Sequence, residues 1–258
     1  MTDFHLHFGQ FREKYYDPAQ VMETVFQAGQ TEVVFSSTTS CRIGVSYFEV
    51  EREVEMALKV CPTGQGFPLL WYTPDYIRQG LTAEMALGSL PYYGFKLHPR
   101  AHAWDFTDSK IRGALHGLLD LANQRNLPVW LHTGDDALDE ANRFSQFFGL
   151  YPHVHFILAH ARPLGQSLAL MARFPNVYCD TSFMAEGQLK HLAEAGFLER
   201  ALPGSDFPIT HYFSNKAVSL AEQYITDMKK MTCSTMNWIT FIEMARNSNI
   251  TKNHLSPP

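Results

Sequence analysis

The stretch DFHLHFG, residues 3–9, is short, apolar and closed by a glycine, and it places His5 and His7 two positions apart. In an extended strand, residues i and i+2 face the same way about 6.6 Å apart, so His5 and His7 point together while Phe4 and Leu6 point to the other side. Seven further segments share this form: TEVVFSSTT (31–39), FPLLWYTP (67–74), GFKLHP (94–99), PVWLHTG (128–134), VHFILAHAR (154–162), NVYCDTS (176–182) and ALPGSDFP (201–208), the last being the weakest strand of the set. Amphipathic stretches lie between them, at about 17–29, 47–60, 76–90, 108–125, 136–149, 165–173, 186–199 and 216–230, with another near 235–247. Buried strands that are each followed by a helix form either an open doubly wound sheet or a closed barrel. Eight units with a repeat of roughly 32 residues predict an α/β fold, a (β/α)8 TIM barrel, as a single domain over residues 1–258. No GxGxxG or GxxxxGK[ST] follows a strand, so a nucleotide-binding open sheet loses its main support. Residues 247–258 lack apolar periodicity and read as a frayed tail or docking extension.

Composition narrows the function. Hydrophobic residues make up 45% and charged residues 18%, and the formal charge is −5. Such a chain can supply a packed core but offers no basic field to a phosphate backbone, which argues against a nucleic-acid partner. No window approaches the ~18 uninterrupted apolar residues of a membrane span, and no basic segment precedes an apolar run at the start. The expectation is a cytoplasmic protein acting on a small molecule, without a membrane partner and with a homo-oligomer left open. Cys41, Cys61, Cys179 and Cys233 are widely spaced and form no CxxC pair, so they read as reduced and structural.

The twelve histidines carry the chemistry. His132 ends the fifth strand, His160 the sixth and Asp206 the eighth, each followed by a turn: LHTG, AHARP and GSDFP. Any one of them has a plain structural role open to it, as a turn cap, a hydrogen-bonded buried histidine or a helix cap. Together with His5 and His7, however, they fall at the strand ends of one barrel face, where active sites of this architecture are built. A His/Asp set without thiolates suits a catalytic divalent metal better than a closed structural zinc site. A metal in such a site lowers the pKa of water and polarises carbonyls, and hydrolysis is the natural result.

In order, HLH on strand one, KLHP on four, LHTG on five, AHAR on six and GSDFP on eight resemble the amidohydrolase superfamily, in particular its amidohydrolase-2 branch, from residue 3 to about 247. The resemblance implies a TIM barrel of the metallo-dependent hydrolase type. It implies that His5, His7 and Asp206 hold a metal, with His132 as a further ligand and Asp206 as the general base. His160 becomes a ligand of a second metal or a residue that polarises substrate or water. Lys96 is either a carbamylated bridge between two metals or an ammonium that pairs with Asp3 or a substrate anion. Zinc is the expected ion and manganese the alternative, with one or two ions bound. The activity implied is cleavage of a C–N or C–O bond in an amide, lactone or ester. Non-oxidative decarboxylation and phosphoester hydrolysis are the alternatives, the latter favoured by a paired basic rim of Arg100 and Arg162.

Several other residues join the candidate site. His98 shares the parity of Lys96 and reads as a substrate contact, and Arg100, His102 and Arg162 follow strand ends where they can receive an anion. Asp3 fits a hydrogen-bond partner for a ligating imidazole. Asp180 and Ser182 end strand seven and either line the pocket or support it. His153 and His155 form a second HxH, but they begin strand six with parity opposite to His160, so they are excluded as ligands.

Overall fold

A computed structural model describes residues 2–214 and 218–232. The amphipathic stretch at 235–247, the tail and Cys233 lie outside the described residues. Among the described residues, nine strands run in the spatial order β2-β1-β3-β4-β5-β6-β7-β8-β9. They are β1 (Thr2–Phe11), β2 (Lys14–Tyr16), β3 (Glu32–Ser37), β4 (Gly66–Trp71), β5 (Gly94–Leu97), β6 (Val129–His132), β7 (Phe156–Ala159), β8 (Val177–Asp180) and β9 (Ala201–Leu202). All neighbours are parallel except β1 and β2, which form an antiparallel hairpin. The last strand returns to the first: Phe4 donates to the Pro203 carbonyl at 2.9 Å, Asp206 N–H to His5 O at 2.8 Å, and His7 N–H to Phe207 O at 2.8 Å. These bonds close the TIM barrel that the eight sequence units predict.

The helices between the strands are α1 (Pro18–Gln27), α2 (Tyr47–Val60), α3 (Pro74–Arg78), α4 (Ala83–Leu87), α5 (Ser109–Arg125), α6 (Ser145–Leu150), α7 (Leu164–Arg173), α8 (Glu186–Glu194), α9 (Ile209–Phe213) and α10 (Leu220–Thr232). Their starts follow side-chain chemistry. Asp17 caps α1, with Pro18 next to it, and Asp108 caps α5 through the N–H groups of Lys110 and Ile111.

Three local expectations change. The stretch at 76–90 is two short helices, because Gly80 takes φ 82 and Thr82 starts α4 with its own cap on Met85 N. The eighth segment keeps only two strand residues, because Pro203 and Pro208 lack the N–H that a ladder requires and Asp206 turns to φ 55. Finally, the β1–β3 register shifts between Asp3 and Leu6, a bulge that breaks strict alternation. Phe4 therefore packs inside the barrel with Val34, Leu69, Trp130, Ile157 and Leu202, instead of facing the helices as parity implied. Leu6, Phe8, Phe35, Phe95, Leu97 and Leu158 form the layer between strands and helices. Among the described residues, Cys41, Cys61 and Cys179 form no disulfide. No helix among the described residues is long and apolar enough to cross a membrane.

The bulge also turns Asp3 away from Lys96, the partner that the sequence allowed it. Asp3 Oδ1 accepts from His5 N at 3.1 Å and Ser205 N at 3.0 Å, and its Oδ2 accepts from Ser205 Oγ at 2.6 Å and the Tyr224 hydroxyl at 3.0 Å. The carboxyl thus ties β1 to the closing segment and to α10. Burial pushes its pKa up to about 7, against the opposing pull of those four hydrogen bonds. An acid whose folded pKa exceeds its unfolded value contributes stability that is complete below about 4 and is lost as pH rises to about 7. Comparing wild type with Asp3→Asn by denaturant unfolding at pH 4 to 8 should show the difference drift by up to about 4 kcal/mol against the wild type as pH rises, then level off. A constant difference would refute this account. Packing is checked at Gly94, where a Cβ would lie 2.4 Å from the Pro128 carbonyl oxygen. Gly94→Ala should cost about 3 kcal/mol, a melting-temperature loss of roughly 10 °C by calorimetry.

Candidate metal centre

The C-terminal ends of the strands bring three buried donors together. His5 Nε2 and His7 Nε2 are 3.1 Å apart, and Asp206 Oδ1 lies 3.3 Å from the first and 3.2 Å from the second. Hydrogen bonds fix which imidazole nitrogen faces this point. His7 Nδ1 lies 3.0 Å from the Ser36 carbonyl oxygen, which can only accept, so Nδ1 carries the hydrogen and Nε2 presents a lone pair. His5 Nδ1 likewise donates to Asp180 Oδ2 at 2.9 Å and leaves its Nε2 lone pair inward. Two imidazole lone pairs and a carboxylate oxygen thus converge with no hydrogen between them, an arrangement that a cation stabilises. Their spacing of 3.1 to 3.3 Å is at or just below the roughly 3.3 to 3.6 Å that separates tetrahedral ligands about 2.0 to 2.2 Å from zinc, so a small outward adjustment would admit the ion.

Lys96 reaches the same point, with Nζ 3.0 Å from His5 Nε2 and 5.8 Å from the Trp71 ring centre. Burial lowers its pKa, against the pull of Asp180 and Asp206. Burial also lowers that of His7, with Asp206 opposing. For Asp206 and Asp180 burial acts upward, but the neighbouring histidines outweigh it, and both carboxyls stay below the usual carboxylate range. The site therefore holds ionised carboxylates beside a His7 imidazole that resists protonation.

His132, expected as a ligand in the same set, lies between His98 and His160. Its ring stacks on His98 with centroids 3.7 Å apart and planes 14° apart, and its Nδ1 is 3.3 Å from His160 Nε2. His98 in turn stacks on Trp71, so packing on this side of the mouth holds the His132 ring in a column. His98, His132 and Asp139 also bring ligand atoms within 4.8 Å of one another. Nearly parallel rings, however, aim their lone pairs side by side instead of at one point, and His98 Nδ1 already accepts the Ala101 N–H at 3.3 Å. That group is a poor cation cradle. His160 adopts φ 67, its N–H donates to Asp180 Oδ1 at 3.1 Å, and its Nδ1 is 2.8 Å from Ser182 Oγ. Burial pushes the His160 pKa down to about 3 and lowers those of His98 and His132 far below the ordinary value.

The remaining candidates divide by surroundings. Arg100 is exposed and engages Asp139 only through its backbone N–H, at 2.9 Å. Arg162 is half-buried with its guanidinium 5.4 Å from the Phe183 ring. The buried His102 Nε2 has no hydrogen-bond partner, and burial brings the His102 pKa down to about 4. His153 is exposed and its N–H donates to Asn123, while His155 packs on Tyr178 at the start of β7, so neither joins the group. The partner of the His5 imidazole is Asp180, not Asp3. Ser182 contacts the Nδ1 atoms of both His5 and His160 and donates to Asp180 Oδ1. The i, i+2 spacing of Asp180 and Ser182 was the sequence sign of that clamp. A separate groove of about 590 Å³ is lined by Tyr72 and by residues of α3, α4 and α5.

Known structures share this architecture. Amidohydrolase 2 from Bifidobacterium longum subsp. infantis is 15% identical with a TM-score of 0.58, covering 96% of this chain and 98% of that one. IDCase of Metarhizium anisopliae, in apo form, is 12% identical with a TM-score of 0.61 over 96% and 97% of the two chains. An amidohydrolase from Mycoplasma synoviae is 10% identical with a TM-score of 0.55 over 96% and 86%. Identities this low show the fold alone, and among curated proteins none matches the sequence. The family model for amidohydrolases matches residues 2–225, a span that runs from the HxH of β1 past the aspartate of the closing segment, and the chain belongs to that family.

Proposed function

We propose that this amidohydrolase is a divalent-metal-dependent hydrolase that cleaves a C–N or C–O bond of a small carbonyl compound. The observation that carries the reading is the convergence of the His5 and His7 Nε2 atoms with Asp206 Oδ1. These three would hold one ion, zinc in our reading, with His160 and His132 beside it. When bound, the ion supplies Lewis acidity and lowers the pKa of water.

The chain's own groups supply the rest. Both imidazoles approach Asp206 Oδ1, which leaves Oδ2 to take the proton of the attacking water. Asp180 and Ser182 hold His5 and His160 in one tautomer and orientation. His98, whose Nδ1 accepts the Ala101 N–H, keeps its hydrogen on Nε2 and can donate it to a substrate carbonyl, whereas His160, whose Nδ1–H is committed to Ser182 Oγ, offers an Nε2 lone pair that can accept from substrate or water. Lys96 acts in this reading as an unmodified amine, since its Nζ touches His5 Nε2 and a carboxylate carbon on that nitrogen would have to displace the contact. The same buried amine, a proton carrier beside the triad, favours non-oxidative decarboxylation as the second reading, which release of CO2 from a carboxylic acid would select.

Metal analysis of the purified protein should find one divalent ion per chain, and His7→Ala should lose it. Lys96→Ala should retain it. Two ions in wild type, one of them lost in Lys96→Ala, would make the lysine a bridge and overturn the single-ion assignment. The general base is tested separately. In a screen of lactones, amides and carboxylic acids, fully metallated Asp206→Asn should fall on the order of 10²- to 10⁴-fold in kcat, while His153→Ala stays at the wild-type rate. Wild-type kcat in metallated Asp206→Asn would end the proposed role of that carboxylate.

A further inference from the structure

Helix α2 (Tyr47–Val60) carries an outward face that the metal reading does not use. Packing settles its inner face: Val50, Glu53, Val54 and Ala57 are buried, and Glu53 accepts from the Thr39 hydroxyl at 2.9 Å. The opposite face presents Phe48, Arg52, Glu55 and Lys59, spaced i, i+4, i+7 and i+11, which forms one stripe along a helix. Phe48 is 69% exposed, and Ile43, in the loop that leads into the helix, is 91% exposed. These are the two most exposed large apolar side chains among the described residues. Arg42, beside Ile43, pairs with Glu49 and so fastens that loop to the start of α2.

An exposed apolar residue by itself is ordinary on a protein surface, but two this exposed at one end of a helix mark a contact surface. The charges identify what covers it. Arg52, Glu55 and Lys59 form no ion pair among the described residues, whereas Arg42, Arg78 and Arg125 each have a carboxylate. Arg52 Nε instead donates to the Phe48 carbonyl at 3.3 Å, which lays the arginine along the stripe. Read backwards, the stripe complements itself. When two copies of α2 lie antiparallel about a two-fold axis at the level of Glu53 and Val54, Arg52 meets the partner's Glu55, and Phe48 meets the stem of the partner's Lys59. The symmetry repeats both contacts.

We infer that this face of α2 is the interface of a two-fold homodimer. Exposed ion pairs contribute little energy, so Phe48 and Ile43 supply the affinity, while the charges fix the antiparallel register. A membrane surface or a peptide of one charge sign fits poorly, because cation and anion alternate along the stripe and the chain carries a formal charge of −5. The association needs no metal, and its test is independent of the function proposed above.

Sedimentation velocity of the full chain, from roughly 1 to 200 μM, reads the equilibrium directly. Wild type should be dimeric at the upper end, and Phe48→Ser should weaken association at least roughly tenfold. Ile43→Ser, outside the helix, should weaken it as well. Arg52→Glu and Glu55→Arg each set like charges opposite one another and should weaken it severalfold. Combining the two reversals restores the pairing, so the double variant should return to within about twofold of wild type. An equimolar mixture of the two single variants should likewise form a heterodimer that outcompetes either homodimer. Damage to the helix itself would be repaired by neither, and circular dichroism with melting curves confirms that each variant folds. A wild type that stays monomeric throughout would overturn the inference, as would dimers that keep wild-type affinity in both serine variants. Single reversals as tight as wild type, or a double variant and mixture no tighter than the singles, would also overturn it.

Discussion

The hydrogen bonds between β1 and residues 203–207 close the barrel and create the site in the same act. Asp206 N–H bonds His5 O, and the carboxylate at that turn comes within 3.3 Å of both His5 and His7. Asp3 reinforces the junction from the opposite side by holding Ser205 and Tyr224. Without this seam, histidines at the start of the chain and an aspartate near residue 200 have no reason to meet. The seam is crowded as well, since a Cβ on Gly204 would lie 2.7 Å from His5 Cβ, so only glycine lets the backbone approach this closely.

Burial then sets the electrical character of what the seam assembles. Removing imidazoles from water opposes their protonation, and removing carboxylates opposes their ionisation. In this pocket the first effect is left to act on His7, His98, His132 and His160, whereas the second is overcome for Asp180 and Asp206 by neighbouring histidines. Neutral nitrogen donors and ionised oxygen donors at neutral pH are the state that metal ligation requires. Asp180 and Ser182 add orientation, because a single hydroxyl and carboxylate contact the Nδ1 atoms of His5 and His160 and hold their Nε2 atoms toward the mouth.

The positive-φ residues His160, Phe183 and Asp206 all sit on this rim. Each places a side chain at an angle that a regular strand does not allow: His160 against Ser182, Phe183 against His160, and Asp206 against the two ligand histidines. These three turns lie at the ends of β7 and β8 and in the closing segment, while the interior below is a conventional packed layer of Phe4, Val34, Leu69, Trp130 and Ile157.

The sequence by itself determined the alternation of strands and helices, the barrel, and the placement of His5, His7, His132, His160 and Asp206 at strand ends, because period-two and helical patterns and turn residues are local properties of the chain. Parity carried it to Lys96 and His98 as inward-facing and excluded His153 and His155. Tertiary structure decided what parity cannot express. A bulge in β1 turned Phe4 inward and Asp3 outward, the His132 ring stacked on His98, and Asp180 took the role offered to Asp3. The split at Gly80 and the seat of Arg162 on Phe183 likewise depend on contacts between segments far apart in the chain. Ring stacking, hydrogen-bond partners and bulges are settled by which surfaces meet, and no local pattern records them.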